Sequence, residues 1–229
     1  MYQTKILPEQ REKCLEYFGT PENMFIAPRE KVEKAEFLSE PARAALLVSR
    51  TEEELQREET EMAEKGIAFY SREHEAYPAR LKEIHHPPCG LFVRGRLPHF
   101  EKEKKEVQAA AVVGARWASH AGLSLAKETA GALAEEGISV ISGMASGIDG
   151  AAQEAALMAG GESYAVLGCG PDICYPRHNA GLYRMLENKG GLLSEYPPGT
   201  PPVAWHFPYR NRIISGLSDA VLVVEARLK

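Results

Sequence analysis

The 229-residue sequence has no apolar run long enough to cross a bilayer and no basic leader followed by an apolar secretory core. Its opening, Met-Tyr-Gln-Thr-Lys-Ile-Leu-Pro-Glu-Gln, is too polar for a signal peptide. A cytoplasmic (cytosolic) protein without membrane contact is the expectation. Basic charge is not in excess: 27 Lys and Arg stand against 32 Asp and Glu, a formal net charge of −5. That excludes nucleic-acid binding through an overall basic field, so any such site must be a local pocket. Cysteine is scarce. Its four residues form neither a Cys-x-x-Cys pair nor a dense secreted framework. Cys169 and Cys174 could bridge or share a metal only if a loop brought them together; a reduced thiol beside a packed strand end is the plainer reading. His85 and His86, next to Pro87 and Pro88, likewise read as loop residues rather than ligands, and no metal or cofactor is expected.

Familiar catalytic and nucleotide-binding signatures are missing too. The stretch Gly114-Ala-Arg-Trp-Ala-Ser-His-Ala-Gly122 is not the dinucleotide Gly-x-Gly-x-x-Gly turn, and no acid follows the next strand to hold a ribose. There is no Gly-x-x-x-x-Gly-Lys-Ser/Thr loop, no Gly-x-Ser-x-Gly elbow and no His/Cys cluster with zinc spacing. Glu195 and Glu225 stand at expected strand ends and could pair for acid–base work. Nothing else assembles around them, so loop anchoring is favoured and no enzymatic activity is expected.

What is present falls into two parts, 1–57 and 58–229. Residues up to about Arg57 read as short helices: Glu9 to Phe18, a Gly19-Thr20-Pro21 turn, Pro28 to Lys34 and Pro41 to Val48. The turn between apolar helices resembles half of a helix-hairpin-helix unit, as a plain helical bundle also would. Leu55 to Lys65 is a charged amphipathic helix stopped by Gly66. Short strands follow at Ile67–Tyr70 and Leu91–Val93, with a helix-like Ala79 to Ile84 between them and a charged connector over Pro98 to Glu106.

From Val107 onward strands alternate with helices. Ala109 to Val113 is a continuous apolar run, as suits a strand covered on both faces. Ser119 can cap a helix whose buried stripe is Leu123, Ala126, Ala130 and Leu133. Ile138–Ile141, Tyr164–Leu167, Leu192–Tyr196 and Ala220–Val224 are further strands. Asp149 is expected to cap an alanine-rich helix, Asn179 to Glu187 forms another, and Pro208 fits the first position of a helix with Ile213, Ile214 and Leu217 buried. Strands joined this way pair in parallel with right-handed crossovers, giving a doubly wound α/β domain.

Ligands of an open parallel sheet bind beyond the carboxyl ends of its strands. Those ends carry Gly114-Ala115-Arg116, then Ser142-Gly143-Met144-Ala145-Ser146-Gly147, Gly168-Cys169-Gly170, Ser194-Glu195-Tyr196 and Glu225-Ala226. Their small residues would let a ligand approach the backbone. The Ser142–Gly147 loop is a candidate phosphate nest; a tight strand-to-helix turn is its plainer reading. The segment Phe207-Pro-Tyr-Arg-Asn-Arg-Ile-Ile-Ser-Gly-Leu-Ser218 sets an aromatic ring and two arginines around Asn211 at a helix N-terminus, where phosphate is favoured.

Together with Tyr175-Pro176 and Ser194-Glu195-Tyr196-Pro197-Pro198-Gly199-Thr200, these segments resemble, in order, the DNA-processing protein A (DprA/Smf) family from about Gly66 to Lys229. The resemblance implies an extended Rossmann-like fold that binds single-stranded DNA without sequence preference, self-associates as a homodimer, and helps load the RecA recombinase in natural transformation. Carried across, Gly114, Ala115 and Arg116 with Phe207 to Arg212 would line the DNA site. Arg116, Arg210 and Arg212 would contact phosphates while Phe207 stacks on a base. Some relatives carry a lysine where this chain has Ala204, with a protonated His206 as the nearby substitute. The family also continues beyond the point where this chain stops, so a fragment of a longer protein, short of part of its self-association surface, is expected. Two other readings stand beside this one. One is a phosphoribohydrolase-type enzyme, for which Pro197-Pro198-Gly199-Thr200 is a poor echo of the required loop. The other is an adaptor that uses its first helices to contact a protein.

Overall fold

The computed structural model describes residues 6, 8–49, 51–100 and 107–226. They divide into two compact units, Met1–Lys65 and Gly66–Lys229.

The first unit is helical. Helix α1 (Pro8–Phe18) stops at Gly19, whose φ of 92° is a left-handed conformation open to glycine without steric cost. Thr20 then caps α2 (Pro21–Ile26), its hydroxyl accepting the Asn23 N–H at 3.1 Å, and Pro21 pre-sets the first turn. The expected turn is therefore followed at once by a second helix. Next come α3 (Arg29–Glu33), α4 (Glu40–Val48) capped by Ser39, and α5 (Glu52–Glu64) capped by Thr51. Cys14, Phe18, Met24, Val32, Leu38 and Leu46 make their own buried core.

The second unit contains β1 (Ile67–Ser71), β2 (Gly90–Gly95), β3 (Ala109–Val113), α6 (His120–Glu135), β4 (Ser139–Ser142) and α7 (Ile148–Met158). It continues through β5 (Ser163–Leu167), α8 (Ala180–Lys189), β6 (Gly191–Ser194), α9 (His206–Gly216) and β7 (Ala220–Val223). All seven strands form one sheet in the order β1-β2-β6-β5-β4-β3-β7. The doubly wound α/β expectation holds from β3 onward, where every pairing is parallel. It needs one correction: β1 and β2 join the same sheet antiparallel, so the sheet is mixed. The segment Ala79–Lys82 is a short 3-10 helix, and the expected charged connector lies outside the described residues from 101 to 106.

Strand alternation explains the layers. Val112, Val140, Ala165, Leu167 and Leu192 turn toward α6, α7 and α8. Ala109, Ala111, Ile141, Val166 and Leu193 turn the other way, onto Ile213 and Ile214 of α9 and Leu217 just after it. Ala126 and Ala130 of α6 are fully buried, with Leu123 and Leu133 packed partly buried beside them. The chain steps from β3 to β6 in one direction and then returns through α9 to set β7 beside β3. That reversal of strand order opens a crevice at the carboxyl ends of β3 and β7, the usual place for a ligand in such sheets.

Candidate nucleic-acid interface

Asp149 does not cap its helix. Gly147 precedes α7 without any side-chain cap, and the Asp149 carboxylate turns inward. It accepts the Gly114 N–H at 3.3 Å and the Gly143 N–H at 3.1 Å, tying the ends of β3 and β4 together. From the far side of the sheet Arg210 completes this tie. Its guanidinium donates to the carbonyls of Gly143 (3.0 Å) and Val166, and it is only 4% exposed. Burial pushes the Arg210 pKa down to about 10, opposed by the charge of Asp149, so the group stays cationic at neutral pH. Burial likewise lifts the Asp149 carboxyl above the usual range, while Arg210 and the two N–H donors hold it down. The expectation that Arg210 faces phosphate is corrected: its charge lies inside the protein.

The candidate phosphate nest is filled in part from within the protein. The amides at Gly143 and Met144 are already occupied, by Asp149 and by Gln153 Oε1 at 2.9 Å. Ser142 is fully buried and donates to the Val112 carbonyl at 2.7 Å. The small residues here serve packing between loops. A Cβ on Gly143 would lie 1.9 Å from Arg210 Nη2, and one on Gly147, where φ is +77°, would lie 2.3 Å from the Ala115 carbonyl oxygen. Pro208 also departs from expectation: α9 begins at His206, so the proline is its third residue.

Arg212 is half-committed to the fold. It donates to Glu195 Oε2 at 2.7 Å and to the His86 carbonyl at 2.9 Å, and its guanidinium lies 4.0 Å from the centre of the Tyr209 ring. Glu225 instead accepts from the backbone and hydroxyl of Ser119 at 2.9 and 2.7 Å. The two strand-end carboxylates thus anchor different parts of the fold. Gly199, in the segment that echoes a phosphoribohydrolase loop, donates its N–H to Asp172 in a tight turn. The Cys169 thiol donates to the Ile173 carbonyl and that of Cys174 to the Pro176 carbonyl; burial pushes Cys169 up to about 12. Among the described residues no group of three or more His, Cys, Asp or Glu side chains is placed to hold a metal.

His206 is not a surface cation. Its ring stacks on Tyr196 at 3.9 Å and Nδ1 donates to the Gly168 carbonyl at 2.9 Å. Burial holds its pKa below the ordinary imidazole value. The sign follows: as pH falls through about 6.5 the unfolded chain takes up this proton first, so stability present above that pH is lost on acidification. Thermal melts are expected to show a falling Tm from about pH 7.5 to 5.5. His206→Asn, which keeps a donor for Gly168, flattens that slope; an unchanged slope would assign the loss to other groups.

What remains at the solvent face is a short rim. Arg116, exposed on the turn after β3, holds its guanidinium 5.4 Å from the centre of the Phe207 ring. That ring lies against Gly168, where a Cβ would come within 2.8 Å of it. Tyr175, from the loop after β5, sets its ring 5.4 Å from Phe207 at a tilt of 35°. Arg116 and Phe207 border an open groove of about 770 Å³ at the β3–β7 crevice, lined also by Gly114, Ala115, Ala145 and Asn211. A narrow slot beside it is walled by Arg116, Gly143, Ser146, Tyr175 and Phe207. Arg210 and Arg212 form part of the groove's wall, whereas Ser142 lies beneath it and Gly147 borders a separate recess with Lys127 and His178. Tyr175 is the residue the sequence reading left without a role, although its position ahead of Pro176 at a strand end is a visible signal. The inward turn of Arg210 was visible too: it stands four residues after His206 and three before Ile213, on the buried stripe.

The sequence model of the DNA recombination-mediator protein A family matches residues 68–229. This chain belongs to that family. The DNA processing protein DprA of Bacillus subtilis is 38% identical over 166 residues, which cover 72% of this chain and 54% of that protein. The chain spans about half the length of the curated relatives it matches. The X-ray structure of DNA processing protein A from Streptococcus pneumoniae superposes with a TM-score of 0.74 at 31% identity, covering 99% of this chain and 76% of that one. DNA processing protein A from Helicobacter pylori, whose structure concerns its single-stranded DNA binding mode, gives a TM-score of 0.61 at 27% identity and 71% coverage of each chain. The family match spans the rim residues Arg116, Tyr175 and Phe207 together with the Asp149–Arg210 tie that supports them. Among the described residues no helix is long and apolar enough to cross a membrane.

Proposed function

We propose that this chain binds single-stranded DNA, independently of sequence, along the rim at the β3–β7 crevice. It would act there as the strand-holding part of a recombination mediator. Arg116 meets a phosphate and Phe207 stacks on a base, while Ser146 and Asn211 offer polar groups beside them. Arg210 and Arg212 hold the rim in shape from behind. The observation that carries this reading is the exposed Arg116 guanidinium poised beside the Phe207 ring in an open groove. A pairing of cation and ring suits any unpaired base, because every base has a π face. Membership of the family supports the mediator role, and the Helicobacter pylori relative supports the choice of ligand. Delivery of the strand to RecA and association with a second copy belong to the same proposal, as does binding without catalysis. The engagement of Glu195 by Arg212 and of Glu225 by Ser119 supports that last point.

Fluorescence anisotropy with labelled oligo-dT and duplex DNA tests the reading. Single strands are expected to bind more tightly than duplex. Phe207→Ala is expected to weaken oligo-dT binding about ten-fold, the effect of removing one stacked base at about 1–3 kcal/mol. Equal affinity for duplex, or an unchanged Phe207→Ala variant, would count against it.

A further inference from the structure

We infer that Tyr175 is a second stacking ring, so that the rim grips two consecutive nucleotides rather than one; this rests on the single-strand reading above. Tyr175 and Phe207 come from different elements, the loop after β5 and the start of α9, yet their rings meet at 5.4 Å. Tyr175 is 40% exposed, so a strand in solution can reach it. Inserting a base between the two rings would need a separation of about 6.8 Å, twice the 3.4 Å spacing of stacked bases. The observed spacing is smaller, so no base sits between them. The two rings form one tilted platform, its surfaces supplied by Tyr175, which is exposed, and by Phe207, which is half-buried beside Arg116. A tilt of 35° turns those surfaces apart, which suits successive bases of an unpaired strand rather than the two halves of one base.

The surroundings of Tyr175 extend the path in the same direction. Ser146 shares the narrow slot with both rings, and its hydroxyl lies 3.1 Å from His178 Nε2. His178 and its neighbour Arg177 are exposed in the short 3-10 turn just before α8. A strand leaving Phe207 over Tyr175 therefore meets hydroxyl, imidazole and guanidinium groups suited to the next phosphate. Arg116 lines the same slot. Cationic groups thus stand beside a two-ring platform, in a protein whose net charge is negative.

Three variants and two oligonucleotides test this. Affinity is measured for oligo-dT and for an oligomer of equal length in which every second base is abasic, so that no two bases are adjacent. Wild-type protein is expected to prefer the intact strand by about ten-fold or more. Tyr175→Leu, which keeps apolar bulk against Phe207, loses about ten-fold on intact oligo-dT and little on the abasic strand, so the preference collapses. Tyr175→Phe keeps both affinity and preference. Should Phe207→Ala weaken binding while Tyr175→Leu leaves the preference unchanged, the second ring is wrong and the single-strand reading stands. Should Tyr175→Leu weaken both oligonucleotides equally, its effect is structural and the inference fails. If neither Phe207→Ala nor Tyr175→Leu alters binding, the single-strand reading itself fails.

Discussion

Replacing Arg116 with alanine is expected to weaken oligo-dT binding about ten- to hundred-fold, with the melting temperature unchanged. Its exposed guanidinium touches the Phe207 ring and stands on a turn rather than in the core. Losing a hydrogen bond to a charged group removes about 1.5–3 kcal/mol, which sets the fold-change. The stronger signature is ionic. Each phosphate neutralised on a single strand contributes about 0.7 to the slope of log affinity against log salt. Arg116→Ala is therefore expected to flatten that slope by about this amount, and Arg116→Lys to restore it. A slope that survives in Arg116→Ala would mean that another cation carries the phosphate contact.

The second large effect concerns stability. Arg210→Met is expected to destabilise the second unit by about 3–5 kcal/mol, because removing one partner strands a buried charge. Asp149 would keep its two N–H donors but lose the cation that offsets its burial. Against a typical total of about 5–15 kcal/mol, that loss is large enough to read in any denaturant titration. Adding Asp149→Asn to Arg210→Met removes the stranded charge and is expected to recover part of the loss, the coupling that a double-mutant cycle measures. The molecules that remain folded should keep the wild-type salt slope. The opposite pair of results, full stability with a flattened slope, would return Arg210 to the DNA surface.

These two arginines mark where reading the chain succeeds and where it stops. Both lie in segments whose residue types announce a strand end or a helix start, and the strands and helices around them follow from apolar runs and capping residues. Ala109–Val113 coincides with β3, and Ser119 caps α6 as its hydroxyl suggests. The inward turn of Arg210 depends on helical phase, whereas Arg116 is exposed because it stands on the turn after β3. His206, Arg210, Ile213 and Ile214 fall on one side of α9 and, with Leu217 at its C-cap, are all buried, a regularity masked by the charge of the arginine. Asp149 misleads for a similar reason: an acid in a first turn is usually a cap, and only the approach of β3 and β4 makes it a tie between strands.

From residue order alone come the alternation of strands and helices, the polar strand ends, and the family to which the segments belong. Those depend on local periodicity and on short runs of neighbouring residues. The tertiary structure decides which strands are neighbours: β1 and β2 extend the sheet antiparallel, and β7 crosses to the side of β3. It also decides that Arg210 turns inward while Arg116, Phe207 and Tyr175 share one rim. Such choices join groups far apart in the chain, and they are settled by burial of apolar surface and by the partners available to each buried charge.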